Sequence, residues 1–399
     1  MTRLRAVLGA GGTGKSHGIN EIIEQDPYYG FRSATTGIAA VNMDGVAGVQ
    51  SPTTINSALR YFNSEDLLRK YMQGKTLMPL KFIGDKFRNI IIDEISMMDA
   101  GTLDLIVMAV EKYNQTFKKD LGIVVMGDPG QLPPVTGKAF FLAKSWEHFK
   151  VSFLTEVKRQ KDVEFIEALN QIRKGEVKQA AEWFEENITF TKDINYRFRG
   201  TTFFSTNDEV SRFNRTCLQQ LKGKPKRYKA NLIGKADPTW RSIPQAITLK
   251  RGCIIQLLYN DFELGFANGD NAIVNDMWEN SLYITLLRKN KMMYLKPRIL
   301  EYYTSTAKGY RRKDPEGKLE LIHARLAYAL TIHKAQGLTL EGVQLILNGP
   351  GSRFLSKQSG MLYTALSRVR RPEGLTIVGT IDDLIKCCYV NPEYLNWIR

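Results

Sequence analysis

The segment GAGGTGKS, covering Gly9, Ala10, Gly11, Gly12, Thr13, Gly14, Lys15 and Ser16, has the residue types needed to hold a chain of phosphates. Its glycines let successive backbone N–H groups point at one anion, and the helix that opens there adds positive potential. Lys15 is placed to reach the terminal phosphates and Ser16 to ligate Mg²⁺. A glycine-rich turn alone would say little, but this one follows a short strand (residues 4–8) and precedes the helical pattern INEII. A phosphate site also needs a metal-holding carboxylate, and NIIIDEISMMD supplies Asp93 and Glu94 after a β-branched run at 90–92. Such a run reads as a central parallel strand, whose carboxyl edge is where α/β sheets bind ligands. Asp93 suits the Mg²⁺ shell and Glu94 suits a base that orients the attacking water. The plainer use of a carboxylate there, capping the next helix, falls to Asp99, ahead of the apolar stripe Leu103, Ile106, Val107 and Val110. A third strand, GIVVMG, delivers DPGQLPPV, so that Gln131 emerges at the same edge, in reach of a γ-phosphate.

The elements carrying these groups belong to a nucleotide-hydrolysing α/β domain over residues 1–150. No second phosphate loop follows; the α/β rhythm resumes with arginines instead. Arg159 and Gln160 precede an amphipathic helix with Phe165, Leu169 and Ile172 on one face, and Arg368, Arg370 and Arg371 cluster after LYTALS. A solvated basic patch is the ordinary meaning of such a cluster. An arginine reaching across a cleft to a transferred phosphoryl group is the functional one. In TTFFSTNDEV, Thr206 and Glu209 have capping-box spacing, whereas nothing local requires the amide of Asn207. The turn TIHKAQG, between greasy stretches, offers Thr331, His333, Lys334 and Gln336 and then Gly337.

The chain has 399 residues, enough for two or more cores, and a formal charge of +15 that calls for a polyanionic partner. Four cysteines without CxxC spacing argue against zinc and against a disulfide framework. No apolar run approaches the roughly 18 residues of a membrane span. The expected setting is therefore cytoplasmic, in a bacterial or virus-infected cell.

In order along the chain stand GAGGTGKS, TGIAA, TTINSAL, IIIDEISMMD, GDPGQLPPV, EVKRQ, FFSTNDEV, GFANGD, TIHKAQGLTL and YTALSRV. That order resembles superfamily 1 helicases of the RecD-like branch, which includes the Dda and Pif families. The resemblance implies two RecA-like parallel-sheet domains of the P-loop NTPase kind, with ATP and Mg²⁺ between them and single-stranded DNA across both. Lys15, Ser16, Asp93, Glu94 and Gln131 match the first-domain ATP site, with Ser16 and Asp93 at the metal. Arg159 and Arg368 match the two arginines donated by the second domain. Thr36 and Thr54 match first-domain DNA contacts, and Asn207, Thr331, His333 and Lys334 match second-domain ones. Gln336 and Gly337 would lie between DNA and nucleotide.

The implied activity is ATP-dependent 5′-to-3′ translocation and unwinding, by a monomeric motor acting at single/double-strand junctions beside replication or recombination proteins. An ATP-gated clamp, a motor subunit of a larger complex and an RNA helicase or protein displacer remain alternatives. Only eight residues precede Gly9, where relatives usually carry an adenine-reading glutamine segment, so strict selection of ATP is not implied. Asn56 and Ala335 stand where histidine and serine are common in relatives. The expected layout is a first domain with a small insertion at 57–88, a second over 151–223 and 326–399, and a β-rich, barrel-like insertion at 224–325. Tyr61 and Phe62 in the first insertion serve either as a strand-splitting wedge or as its small core. Lys289, Lys291, Arg311, Arg312 and Lys313 in the second are cations suited to tracking a strand.

Overall fold

The computed structural model describes residues 2–43, 49–237, 240, 243–259, 261, 263–266, 268–303 and 314–398. The chain divides into two compact units, Met1–Thr206 with Thr331–Arg399, and Asn207–Leu330.

The larger unit holds two parallel sheets. In the first, β1 (Leu4–Gly9), β2 (Phe31–Ala34), β3 (Thr53–Thr54), β4 (Asn89–Asp93), β5 (Gly122–Gly127) and β6 (Lys150–Leu154) are ordered β3-β2-β4-β5-β1-β6. Every pairing is parallel. Strands β4 and β5 are buried throughout, as their unbroken apolar runs require of a sheet covered on both faces. Register aligns Ile92 with Val125, and Val125 with Ala6. The ends of β1, β4 and β5 therefore reach one edge together, bringing GAGGTGKS, Asp93-Glu94 and DPGQ onto a common rim.

The helix Ala100–Phe117 begins at Asp99, whose side chain accepts from the Thr102 amide, and buries Leu103, Ile106, Val107 and Val110. Against it pack the insertion helices Ser64–Met72 and Leu77–Gly84, which bury Leu67, Leu80 and Ile83 in the same core. Tyr61 joins that core, whereas Phe62 is 77% exposed with the Lys70 ammonium 5.8 Å from its ring centroid. Tyr61 thus belongs to the small core of the insertion, and Phe62 does not.

The second sheet contains β7 (Thr189–Thr191), β8 (Thr201–Phe204) and the strands Val343–Ile346 and Leu375–Val378, again pairing in parallel. Helices Val163–Lys174 and Val177–Asn187 share its core through Phe165, Leu169, Ile172 and Phe184.

The smaller unit is antiparallel. A five-stranded sheet runs Lys291–Leu295, Leu282–Leu286, Asn271–Met277, Ile254–Leu257, Ala324–Leu326 in spatial order, beside sheets of three and two strands. Alternation puts Ala272, Val274, Leu282, Ile284 and Leu286 in its core. Lys289 and Lys291 donate to the carbonyls of Gly265 and Leu264 at 2.7 and 2.9 Å, which ties them to a neighbouring loop. Arg311, Arg312 and Lys313 lie outside the described residues. Among the described residues all four cysteines are free, and no helix is long and apolar enough to cross a membrane.

Candidate nucleotide site

The phosphate loop turns on Gly12, at φ +87°, where a Cβ would stand 2.5 Å from Arg159 Cβ. A side chain is excluded there by backbone conformation and by space at once. The close approach is fixed by the Lys158 and Arg159 amides, which donate to the Gly12 carbonyl at 2.7 and 3.1 Å. Lys15 opens the helix Lys15–Gln25, and its ammonium donates to the carbonyls of Gly9 and Ala10, each at 2.9 Å, and to Thr13 Oγ1 at 3.3 Å. Burial lowers its pKa against the pull of Asp128, Glu94 and Asp93. Ser16 Oγ donates to Asp93 Oδ2 at 2.9 Å.

A cavity of about 360 Å³ gathers Gly11, Gly12, Gly14, Lys15, Ser16, Asp93, Glu94, Gln131, Arg159, Gly337 and Arg368 along its walls. These include every side chain expected to do chemistry on the nucleotide. Glu94 sits at φ +54°, a left-handed conformation that costs a non-glycine residue energy and is typically kept at functional sites. Burial, then the neighbouring Asp93, pushes its carboxyl above the usual range. Arg159 is drawn down to about 10 by burial and by Arg368, and Arg368, buried with its guanidinium donating to Thr364 O, Leu338 O and Ser367 Oγ, is also lowered by burial. Among the lining residues four cations, Lys15, Lys158, Arg159 and Arg368, stand with three carboxylates, Asp93, Glu94 and Asp128, an excess of one positive charge in a partly enclosed cleft. Arg370, by contrast, pairs with exposed Glu341, so of the three clustered arginines only Arg368 lines the cavity.

The fit to a metal-bound polyphosphate rests on the donor set. Ser16 and Asp93, in contact with each other, offer the hydroxyl and carboxylate oxygens that Mg²⁺ takes, and the Lys15 ammonium in the same cavity offers N–H donors to phosphate oxygens.

Sequence reasoning overlooked the centre of the site. Asp128, fully buried, accepts from Arg173 Nε at 3.0 Å and Nη2 at 2.9 Å, from Tyr363 Oη at 2.8 Å and from the Gly130 amide at 3.0 Å. Tyr363 Oη in turn accepts from the Gly11 amide at 3.0 Å. Burial opposes the Asp128 charge, but Arg173 and Lys15 outweigh it and hold the carboxyl below its usual value. This chain of contacts joins the phosphate loop to two helices of the second sheet's layer. Asp128 shared the strand-edge signal that marked Asp93; Arg173 and Tyr363 carried none.

The turn at 331–337 is one helical turn, Ile332–Ala335, with Thr331 buried at its N-cap and Ala335 buried. Gln336 Nε2 donates to Glu94 Oε2 at 3.2 Å and to Ser96 Oγ at 2.9 Å. Gly337 has φ +80°, a conformation that favours glycine, and a Cβ there would meet Glu94 Oε1 at 3.6 Å and Ala39 Cα at 3.7 Å in ordinary contact. His333 and Lys334 are half-buried, and desolvation lowers the His333 pKa. Thr36 and Thr54 are N-caps, accepting from the amides of Ala39 and Ser57. Thr36 and the 331–337 turn therefore flank Ala39 together. Asn207 begins the helix Asn207–Gln220 in the smaller unit.

A sequence-family model described as an AAA domain matches residues 1–192. The ATP-dependent DNA helicase PIF1 of Xenopus laevis is 29% identical over 410 residues, covering 98% of this chain and 60% of that protein. The ATP-dependent DNA helicase Pif1 of Campylobacter jejuni is 26% identical, covering 93% of this chain and 88% of the relative. The chain thus spans about three fifths of the length of the frog relative and most of the bacterial one. Among solved structures, one concerned with DNA unwinding at forked dsDNA by two coordinating Pif1 helicases superimposes at TM-score 0.73, with 25% identity, 99% of this chain and 92% of that one. The Pif1 helicase of Candida albicans gives TM-score 0.78 at 22% identity, covering 99% and 95%, a likeness of fold.

Proposed function

We propose that this chain is a Pif1/RecD-like helicase of superfamily 1, an ATP-driven translocase that moves 5′ to 3′ on single-stranded DNA and separates duplexes. The observation that carries this reading is the contact of Gln336 with Glu94. One segment offers Thr331, His333 and Lys334 for a strand and, five residues after Thr331, touches through Gln336 the carboxylate proposed to orient the attacking water.

In the proposed cycle the phosphate loop and Lys15 seat the triphosphate, and Ser16 and Asp93 hold Mg²⁺, which neutralises phosphate charge. Gln131 meets the γ-phosphate, while Arg159 and Arg368 stabilise the charge that develops on it. Glu94 orients the water. Loss of the γ-phosphate removes the anion that holds the arginines against the loop, so the two layers part. Gln336 transmits that change to the segment gripping DNA, with Thr36 and Thr54 gripping on the first sheet's side; Asn207 is a further residue proposed to contact the strand. Single/double-strand junctions are the substrate, replication or recombination proteins the expected company, and the cytoplasm the setting, with one copy of the chain sufficient as a motor.

Strand displacement on matched duplexes bearing a 5′ or a 3′ overhang tests the reading. Displacement is expected from the 5′ overhang alone and is expected to vanish in Lys15→Ala. Displacement from the 3′ overhang would reverse the polarity, and DNA-stimulated hydrolysis without displacement would make the chain a clamp or a partner-dependent subunit.

A further inference from the structure

Residues 207–330 contain 22 Lys and Arg against 12 Asp and Glu, so under a third of the chain carries two thirds of its formal excess charge. The excess is focused: five of the eight residues in 222–229, KGKPKRYK, are cations and none is an acid. There the smaller unit has a cleft of about 490 Å³ lined by Lys224, Lys226, Arg251, Asp276 and Met277. Arg251 Nη2 pairs with Asp276 Oδ2 at 2.6 Å, leaving the lysines as the cleft's net charge.

The cleft continues into an aromatic surface. Across the five-stranded sheet, Asp276 stands opposite Tyr283 and Tyr283 opposite Tyr294. Trp278, next to the cleft-lining Met277, packs on both tyrosines with ring centroids 6.3 and 5.4 Å away, and the tyrosines lie 5.0 Å from each other. The alternate residues Leu282, Ile284 and Leu295 fill the core on the opposite face, so these rings are not needed there. Trp278 is 42% and Tyr294 58% exposed. Tyr228 Oη donates to the Trp278 carbonyl at 2.7 Å, and the Lys226 ammonium lies 5.5 Å from the Tyr228 ring centroid, which fastens the basic strand Lys226–Lys229 to the aromatic corner.

We propose that this face is a second binding site for a single strand of DNA, with bases stacking on Trp278 and Tyr294 and the backbone phosphates in the Lys224–Lys226–Arg251 cleft. Only a polyanion whose repeating unit also presents a flat apolar face uses both halves of the surface. An acidic protein would use the cations and leave the rings wet, and an apolar protein partner would strand the lysines. The site shares no lining residue with the ATP cavity and rests on the motor reading only for the choice of DNA as the polymer.

The test is equilibrium binding of fluorescent oligothymidylate to the full chain at several salt concentrations, alongside ATP hydrolysis. Trp278→Ala/Tyr294→Ala is expected to weaken binding about tenfold or more, with Trp278→Phe/Tyr294→Phe restoring most of it. Lys224→Gln/Lys226→Gln is expected to weaken binding and flatten its salt dependence by about one to two phosphate contacts. Turnover of ATP at saturating DNA should be unchanged in all three. Unaltered affinity in the alanine variant overturns the proposal. So does a loss confined to the lysine variant, which would mark a bare electrostatic patch, or a loss the phenylalanine variant fails to rescue, which would mark a folding effect. Competition by polyglutamate as effective as by DNA would also overturn it. Failure of the motor reading looks different: the intact protein would then hydrolyse ATP without regard to DNA while the platform variants still lost DNA binding.

Discussion

Replacing Arg368 by alanine is expected to lower the turnover of ATP by about 10³-fold or more, with a smaller change in KM. The guanidinium is buried beside the phosphate loop, where a Cβ on Gly11 would stand 3.6 Å from Nη2 and 3.2 Å from Gln131 Nε2. Its position is fixed through bonds to Thr364 O, Leu338 O and Ser367 Oγ, so no reorganisation is needed when charge develops on the transferred group. Arg368→Lys keeps a charge but not the planar fork, and should recover only part of the loss. Single-turnover hydrolysis, read together with urea unfolding, separates chemistry from stability. A kcat within tenfold of the parent in a folded Arg368→Ala protein would remove the arginine from the reaction.

Arg173→Ala is expected to be the most destabilising change near the site, costing about 3–5 kcal/mol because it leaves the carboxylate of Asp128 buried without its partner. In the parent protein the folded Asp128 pKa lies below its unfolded value. Its ionised form therefore contributes stability above the unfolded pKa, and that contribution is lost as pH falls through the folded one. Without Arg173 the cost of burying the charge is expected to dominate and the folded pKa to rise, so the sign reverses: the variant loses stability as pH climbs through the carboxylate range. Urea unfolding of both proteins across that range should show the opposing slopes. A loss of under 1 kcal/mol with parallel pH profiles would show that the pair is dispensable. Tyr363→Phe, which removes one bond to Asp128 and one from Gly11, should cost about 1–2 kcal/mol by the same measurement.

What the sequence made legible follows from how local each signal is. The phosphate loop is written in eight consecutive residues, and Asp93 in the run that must become a buried strand; both were readable because one element carries type and place together. Asp128 occupied an equally good strand end, but the Pro129-Gly130 pair after it reads as turn chemistry. Arg173 stands in the last turn of an amphipathic helix, where a cation ordinarily faces solvent and complements the helix end. Its partner lies 45 residues away on another layer, and no periodicity reports such a pairing. Tyr363 stands on a helix that is buried throughout, where packing alone accounts for an aromatic residue. The alternation in 271–295 predicted strands with one inner face, yet the sharing of the smaller unit's strands among three sheets depends on pairings no single strand encodes. Thr36 and Thr54 show why some contacts stay open. Capping uses the hydroxyl oxygen as an acceptor, and the same hydroxyl remains a donor toward phosphate.

The most direct measurement is the DNA stimulation of ATP hydrolysis in Gln336→Ala beside the parent chain. The account holds that the segment offering Thr331, His333 and Lys334 to a strand reports to Glu94 through the amide of Gln336, 3.2 Å from that carboxylate. Single-stranded DNA should accelerate hydrolysis strongly in the parent, whereas the variant should bind the same DNA and show a stimulated-to-basal ratio reduced about tenfold, the loss of one hydrogen bond to a charged group. A variant stimulated as fully as the parent would contradict the account, because the turn and the nucleotide would then be neighbours without being coupled.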